Sequence, residues 1–139
     1  MLEVIDEVRG AADLIKWFGY WPSFHDAEVL DVELHRSGSS AIRIHTFEIT
    51  DQVNSQGHYI CVKHVVVTFI LEGVNNLHLD YFNGQNVIYG LLLRQTPEAY
   101  ELTLDGCHGV DGTIAAERVQ LELAPGVPAD SQYLRLAGQ

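Results

Sequence analysis

From Leu30 to Leu123 the apolar residues recur mostly at every second position, and that period admits β-strands far more readily than helices. Leu30, Val32 and Leu34 alternate with Asp31, Glu33 and His35, as in a strand with one wet face. Gly38-Ser39-Ser40 reads as a hairpin loop that sets Glu33 opposite His45 and Leu34 opposite Ile44. The second strand then changes parity, from Ile42 and Ile44 to Phe47 and Ile49, so a β-bulge near Thr46 is expected to return Phe47 and Ile49 to the buried face. Asp51 to Gly57 is a polar loop. Tyr59 to Glu72 forms a long strand, apolar on both faces from Val65 to Leu71 and therefore central. A turn is expected over Gly73 to Asn76, with Leu77, Leu79 and Tyr81 in the next strand. Asn83-Gly84 is a type I′ hairpin signal, because both central positions of that turn need positive φ. Val87 to Gln95, Ala99 to Asp105 and Thr113 to Leu123 complete the strands, the last two separated by the glycine-rich loop Gly106 to Gly112.

Ahead of these strands the period is helical. Ile5, Val8, Ala12 and Ile15 follow one stripe, Gly19 is placed to end the helix, and Pro22 lies just beyond. Gly10 weakens the first part, leaving Ala11 to Phe18 as the secure helix. No linker or repeat divides the chain. The expectation is one α+β, mainly β domain over residues 1–139: a short N-terminal helix over 1–18, a motif loop over 19–29, a sheet over 30–123 and a tail over 124–139. About seven antiparallel strands in meander order fit either a twisted sheet or a half-open barrel.

The charge narrows the classes of partner. Nineteen acids against eight bases leave a formal −11, which opposes direct nucleic-acid binding and adsorption to anionic membranes and favours a basic protein. No apolar run approaches the length of a membrane span. Met1 to Arg9 carries Glu3, Asp6 and Glu7 where a signal peptide carries basic residues. Cys61 and Cys107 alone make neither a zinc set nor a disulfide framework, so both are expected as reduced thiols in a cytoplasmic protein, Cys61 on a strand and Cys107 in a loop.

The run Gly19 to Val29 concentrates aromatic and titratable residues between helix and first strand. A catalytic reading takes His25 as base with Asp26 and Glu28 as carboxylates, but no serine or cysteine stands in a nucleophile context, and Ser23 is placed for local capping of the turn. A metal reading combines His25, Asp26 and Glu28 with His64, His78 or His108, of which His108 in the glycine-rich loop is best placed as an accessory ligand. A ligand-binding or interaction-module reading needs Trp17, Tyr20 and Trp21 to line an accessible pocket. The structural reading uses Trp21, Pro22 and Phe24 to close the core while Asp26 caps the turn and His25 bridges strand and helix. It leaves no catalytic residue and no cofactor.

The run Trp21-Pro22-Ser23-Phe24-His25-Asp26-Ala27-Glu28-Val29, preceded by Phe18-Gly19-Tyr20, resembles the signature of the immunity protein 50 family. The layout is similar too: a short helix, the motif, then alternating strands, the first closed by His35 and Arg36. The resemblance implies a small bacterial protein of a polymorphic toxin system. Such a protein is not an enzyme; it binds and neutralises a cognate toxin by protein–protein contact. The motif residues Gly19, Trp21, Pro22, Phe24, His25, Asp26 and Glu28 would then serve the fold. Glu28, Asp31, Glu33, Asp51, Asp105 and Asp111 are the candidate partner-binding surface for a toxin that is itself basic, and exposed strand edges leave room for a homodimer.

Overall fold

The computed structural model describes residues 7–133. Among the described residues, helix α1 (Ala11–Phe18) precedes six strands: β1 (Glu28–Glu33), β2 (Ser40–Val53), β3 (Tyr59–Asp80), β4 (Val87–Gln95), β5 (Tyr100–His108) and β6 (Asp111–Pro125). The protein is thus mainly β. Its strands form one antiparallel sheet closed into a barrel in the order β1-β2-β3-β6-β5-β4. Six strands stand where the pattern suggested about seven, because two expected runs form the single strand β3. The turn expected at Gly73 to Asn76 is a kink inside it. Gly73 has φ 68°, and the register against β6 slips between Val74 and Asn76, yet β6 pairs on both sides of the kink. Such bulges bend and twist a strand, which is what closing a small barrel requires.

The order is not a meander. β1-β2-β3 and β4-β5-β6 are two meanders joined through a β3–β6 ladder, and residues 81–86 carry the chain from β3 across to β4. Asn83-Gly84 therefore lies in a crossover and not in a two-residue hairpin. Positive φ falls at Tyr81 (63°) and Asn86 (46°) instead. The crossover is held by Asn86, whose Oδ1 accepts the Asn83 amide at 2.9 Å and the Val110 amide at 3.1 Å. The loop expected from Gly106 to Gly112 shrinks to Gly109 and Val110 between β5 and β6, which places Cys107 on a strand and not in a loop.

The first hairpin also differs in register. Glu33 faces Ala41, Val32 faces Ile42 and Glu28 faces His45, because the connection runs from Leu34 to Ser39 and β1 bulges between Val29 and Asp31. The irregularity expected near Thr46 is present, but its extra residue sits on β3: Thr46 faces Val65 while Glu48 faces Val62, and Lys63 takes φ 55°. Phe47 is accordingly buried outside the barrel on the same face as His45, and Ile49 is exposed.

Inside the barrel, Ile42, Ile44, Val67, Phe69, Leu102 and Leu104 form the central core, each contributing roughly 1.5–3 kcal/mol by burial. α1 docks on this core through Ala11, Leu14 and Phe18, with Val8 beside them. That face is rotated from the expected Val8–Ala12–Ile15 stripe: Ala12 is exposed, Ile15 is half-buried, and Ile5 lies outside the described residues. The cause is Gly10, which with φ 91° breaks the helix immediately before Ala11 and so takes Val8 out of helical phase. At the other end Gly19 adopts φ 90° and donates its amide to the Ile15 carbonyl at 2.6 Å, the expected stop. The barrel receives the chain entry directly, since Leu121 donates to the Arg9 carbonyl at 2.8 Å.

A Cβ on Gly10 would collide with the Leu121 carbonyl oxygen, whereas one on Gly19 would meet open space at nearly the same φ. Gly10→Ala should therefore cost at least about 2 kcal/mol and Gly19→Ala roughly 1 kcal/mol. Urea unfolding of the two variants checks this; equal losses would contradict it.

Candidate functional site

The motif between α1 and β1 divides its side chains between the inside and the outside of the barrel. Phe24 (φ 62°) and Asp26 (φ 63°) both adopt left-handed backbone. The resulting bends send Phe24 and Ala27 into the core and His25 to the surface. Phe24 tilts against Phe69 with ring centroids 5.9 Å apart, and half-buried Trp21 covers Phe24 at the same separation. Pro22 is buried beside them. The Asp26 amide donates to the Ile88 carbonyl at 2.9 Å, the Ile88 amide to Ala27 at 3.0 Å and the Val29 amide to Asn86 at 2.8 Å. With the single register pair Glu28–Val87, these bonds seal β1 against β4.

On the surface, His25 Nδ1–H donates to the Tyr89 carbonyl at 3.1 Å and the imidazole stacks on the Tyr89 ring. The Asp26 carboxylate lies 3.6 Å from His25 Nε2. Ser23 Oγ accepts the His25 amide at 3.2 Å, a local cap. The expected bridge from His25 to the helix is in fact a bridge to β4.

Glu28 takes a third course. It sits on the outer face of β1, yet its side chain is only 7% accessible. Its Oε1 lies 2.7 Å from His45 Nδ1 and accepts Ser131 Oγ–H at 2.5 Å, while Oε2 accepts the Gln132 amide at 3.0 Å. His64 Nε2–H donates to the Cys61 carbonyl at 3.2 Å, which leaves His64 Nδ1 to accept from His45 Nε2–H at 3.0 Å. Glu28, His45 and His64 thus form one hydrogen-bonded chain buried across β1, β2 and β3. Phe47 and Tyr133, with centroids 4.6 Å apart, close over it. Residues 131–133 thus act as a cover over the β1–β2–β3 face.

The titration directions follow from this geometry. Burial opposes the charge on Glu28, but hydrogen bonds from His45, Ser131 and Gln132 outweigh it and hold the carboxyl below its ordinary 4.5. Burial, aided by the charge of His45, holds His64 below its ordinary 6.5. Burial, with the negative charges around it, pushes the Tyr133 phenol up to about 12.

Of the residues weighed for metal binding, Glu28 and His64 meet His45 from opposite sides of its ring, while the others lie apart. Glu28 belongs to the covered network, His25 and Asp26 sit on Tyr89, and His108 is exposed opposite Val87. Among the described residues no three His, Cys, Asp or Glu side chains are arranged to hold a metal ion. Of the acidic residues considered for partner contact, Glu28 is buried. Asp31 pairs with Arg43 at 2.6 Å, Glu33 approaches His35 at 3.2 Å, and Asp51 lies on the exposed end of β2. Asp105 and Asp111 line one groove. The three rings proposed to line a pocket have separate partners: Trp17 Nε1–H donates to Lys63, Tyr20 to Glu48, and Trp21 packs on Phe24. Sequence reasoning considered His64 only as a metal ligand and gave no role to His45, Ser131 or Tyr133. Their one legible trace was the parity change from Ile44 to Phe47, which marked an outer face that is itself covered.

A short helix docked on a closed antiparallel β-barrel, with the loop motif used for closure and packing, defines a small, mainly β protein. The family Immunity protein 50 matches residues 10–125, and the chain belongs to it. The covering residues Ser131 to Tyr133 lie beyond the matched span. No curated protein and no solved structure matches the chain.

Glu28→Ala leaves the Ser131 hydroxyl, the Gln132 amide and the His45 ring without their shared acceptor and should cost at least about 2 kcal/mol. Both lowered pKa values mean that the unfolded chain binds more protons than the folded one. His64 contributes stability that is present above pH 6.5 and lost as the pH falls below it; Glu28 contributes stability present above pH 4.5 and lost further down. Urea unfolding at stepped pH should show stability rising from about pH 4 to pH 7, with His64→Gln flattening the upper part of the rise. A wild-type profile that does not change over that range would contradict the network.

Proposed function

We propose that this protein neutralises a cognate bacterial toxin by binding it, as a non-catalytic inhibitor acting in the cytoplasm. The observation that carries the reading is membership of the Immunity protein 50 family over residues 10–125. Two physical features support it. The groups with the most reactive potential are engaged in structure: the Glu28 carboxylate accepts from His45, Ser131 and Gln132 within the covered network, and His64 donates to a backbone carbonyl. The rigid barrel also presents a strongly acidic exterior, with a formal charge of −11, suited to fast capture of a basic protein surface. No helix among the described residues is long and apolar enough to cross a membrane.

The test is co-expression with the toxin domain encoded by the neighbouring open reading frame. Cells producing that domain should survive only when this chain is present, and the two proteins should elute together in a one-to-one or two-to-two complex. Killing that proceeds unchanged, with no complex formed by the purified proteins, would refute the reading.

A further inference from the structure

A groove of about 500 Å³ runs across the outer face of β4, β5 and β6, lined among others by Gly90, Leu92, Thr103, Asp105, Asp111 and Thr113. Register explains its shape. Leu92 faces Thr103, Thr103 faces Thr113 and Gly90 faces Asp105, so adjacent outward positions carry small side chains and the sheet backbone forms a floor. Leu92, 42% exposed, supplies an apolar wall. Asp105 and Asp111 supply charge, and Asp80 stands opposite Asp111 in register. Tyr89, exposed beside the groove, connects it to the His25–Asp26 surface. Its ring stacks on the His25 imidazole.

Among the described residues no lysine or arginine pairs with the acids of this face, where the charged-group contacts are those of His78 to Asp80 at 2.8 Å and His25 to Asp26 at 3.6 Å. Among the described residues, the Lys and Arg ion pairs join Arg43 to Asp31, Lys63 to Glu48, Arg94 to Glu101 and Arg118 to Glu72, and none reaches Asp26, Asp80, Asp105 or Asp111. Arg94, on the same strand as Leu92, is bound to Glu101 at 2.6 Å and turned to that use. A second copy of this chain is a poor occupant, because it repeats the net charge of −11 and has most of its described cations already paired. A nucleic acid or an anionic lipid surface would be repelled.

We propose that this groove receives an Arg or Lys side chain carried by a partner protein, its aliphatic stem along Leu92 and its charged head beside Asp105 and Asp111. Long cationic side chains bind well on such surfaces, since stem and head find separate apolar and acidic surroundings. The identity of that partner as the toxin rests on the reading above; the cation-receiving groove stands on the geometry of β4, β5 and β6.

Two measurements separate the claims. Amide NMR of the full chain titrated with a hexa-arginine peptide should show shifts concentrated at Gly90, Leu92, Thr103 and Thr113, abolished in Asp105→Asn/Asp111→Asn. Asparagine at 111 retains an oxygen for the Gly106 amide, which Asp111 accepts at 2.9 Å, so the fold should persist, as circular dichroism will verify. Calorimetry with the neighbouring toxin domain should show at least about a tenfold loss of affinity for that double variant and for Leu92→Arg, against less than about threefold for the exposed control Asp13→Asn/Glu122→Gln. Hexa-arginine shifts spread evenly over the acidic surface, or toxin affinity unchanged in the groove variants, would overturn the proposal while leaving toxin binding in place. Hexa-arginine seated in the groove of a chain that ignores the toxin would uphold the receptor and overturn the toxin reading.

Discussion

The barrel depends on its narrowest seam. β1 and β4 share only the register pair Glu28–Val87, and the closure is completed by backbone bonds from Asp26, Ala27 and Val29 to Ile88 and Asn86. Without them β1 and β4 would be open edges, each a row of unpaired backbone groups. The left-handed backbone at Phe24 and Asp26 makes the seam reachable, and the burial of Phe24 against Phe69 holds those conformations in place. Packing and closure are therefore one event: the ring that fills the end of the core also aims the backbone that completes the sheet.

The same bends decide the fate of the titratable residues. His25 and Asp26 emerge on the surface beside Tyr89, and two residues later the β-alternation puts Glu28 on the outer face of β1 opposite His45. That face is covered by Ser131, Gln132 and Tyr133, which contribute a hydroxyl, an amide and a ring. A carboxylate on the outside of a barrel thereby acquires the surroundings of an interior one. Its partners, including the His45–His64 pair, become a structural brace between three strands and the C-terminal segment. Asp105 on β5 and Asp111 on β6 lie outside that cover and line one groove.

Much of the local structure was legible. The helix Ala11 to Phe18, its stop at Gly19, the span of β4 and the central position of Val65 to Leu71 follow from period, glycine placement and apolar content. The packing role of Trp21, Pro22 and Phe24 followed from their size and neighbours. What failed did so for identifiable reasons. Gly73 reads as a turn in isolation, but the ladder to β6 continues past it and converts it to a kink. Asn83-Gly84 matches the hairpin signal, yet β3 and β4 are not neighbours, and the asparagines serve a crossover instead. The stripe through Ala12 and Ile15 was displaced because the barrel accepts the helix only after the break at Gly10.

The chain's own order of residues determined which segments are strands, where the helix stops, how acidic the exterior is and, through the run Trp21 to Val29, the family to which the protein belongs. These are properties of short windows and of composition, and they need no distant contact. Tertiary structure alone decided the strand order, the registers, the covered outer face and the separation of the motif's carboxylates into one buried and one exposed. The reason is that pairing partners and burial are set between residues far apart in sequence: Glu28 lies 103 residues from Ser131, and no local pattern on either segment encodes that they meet.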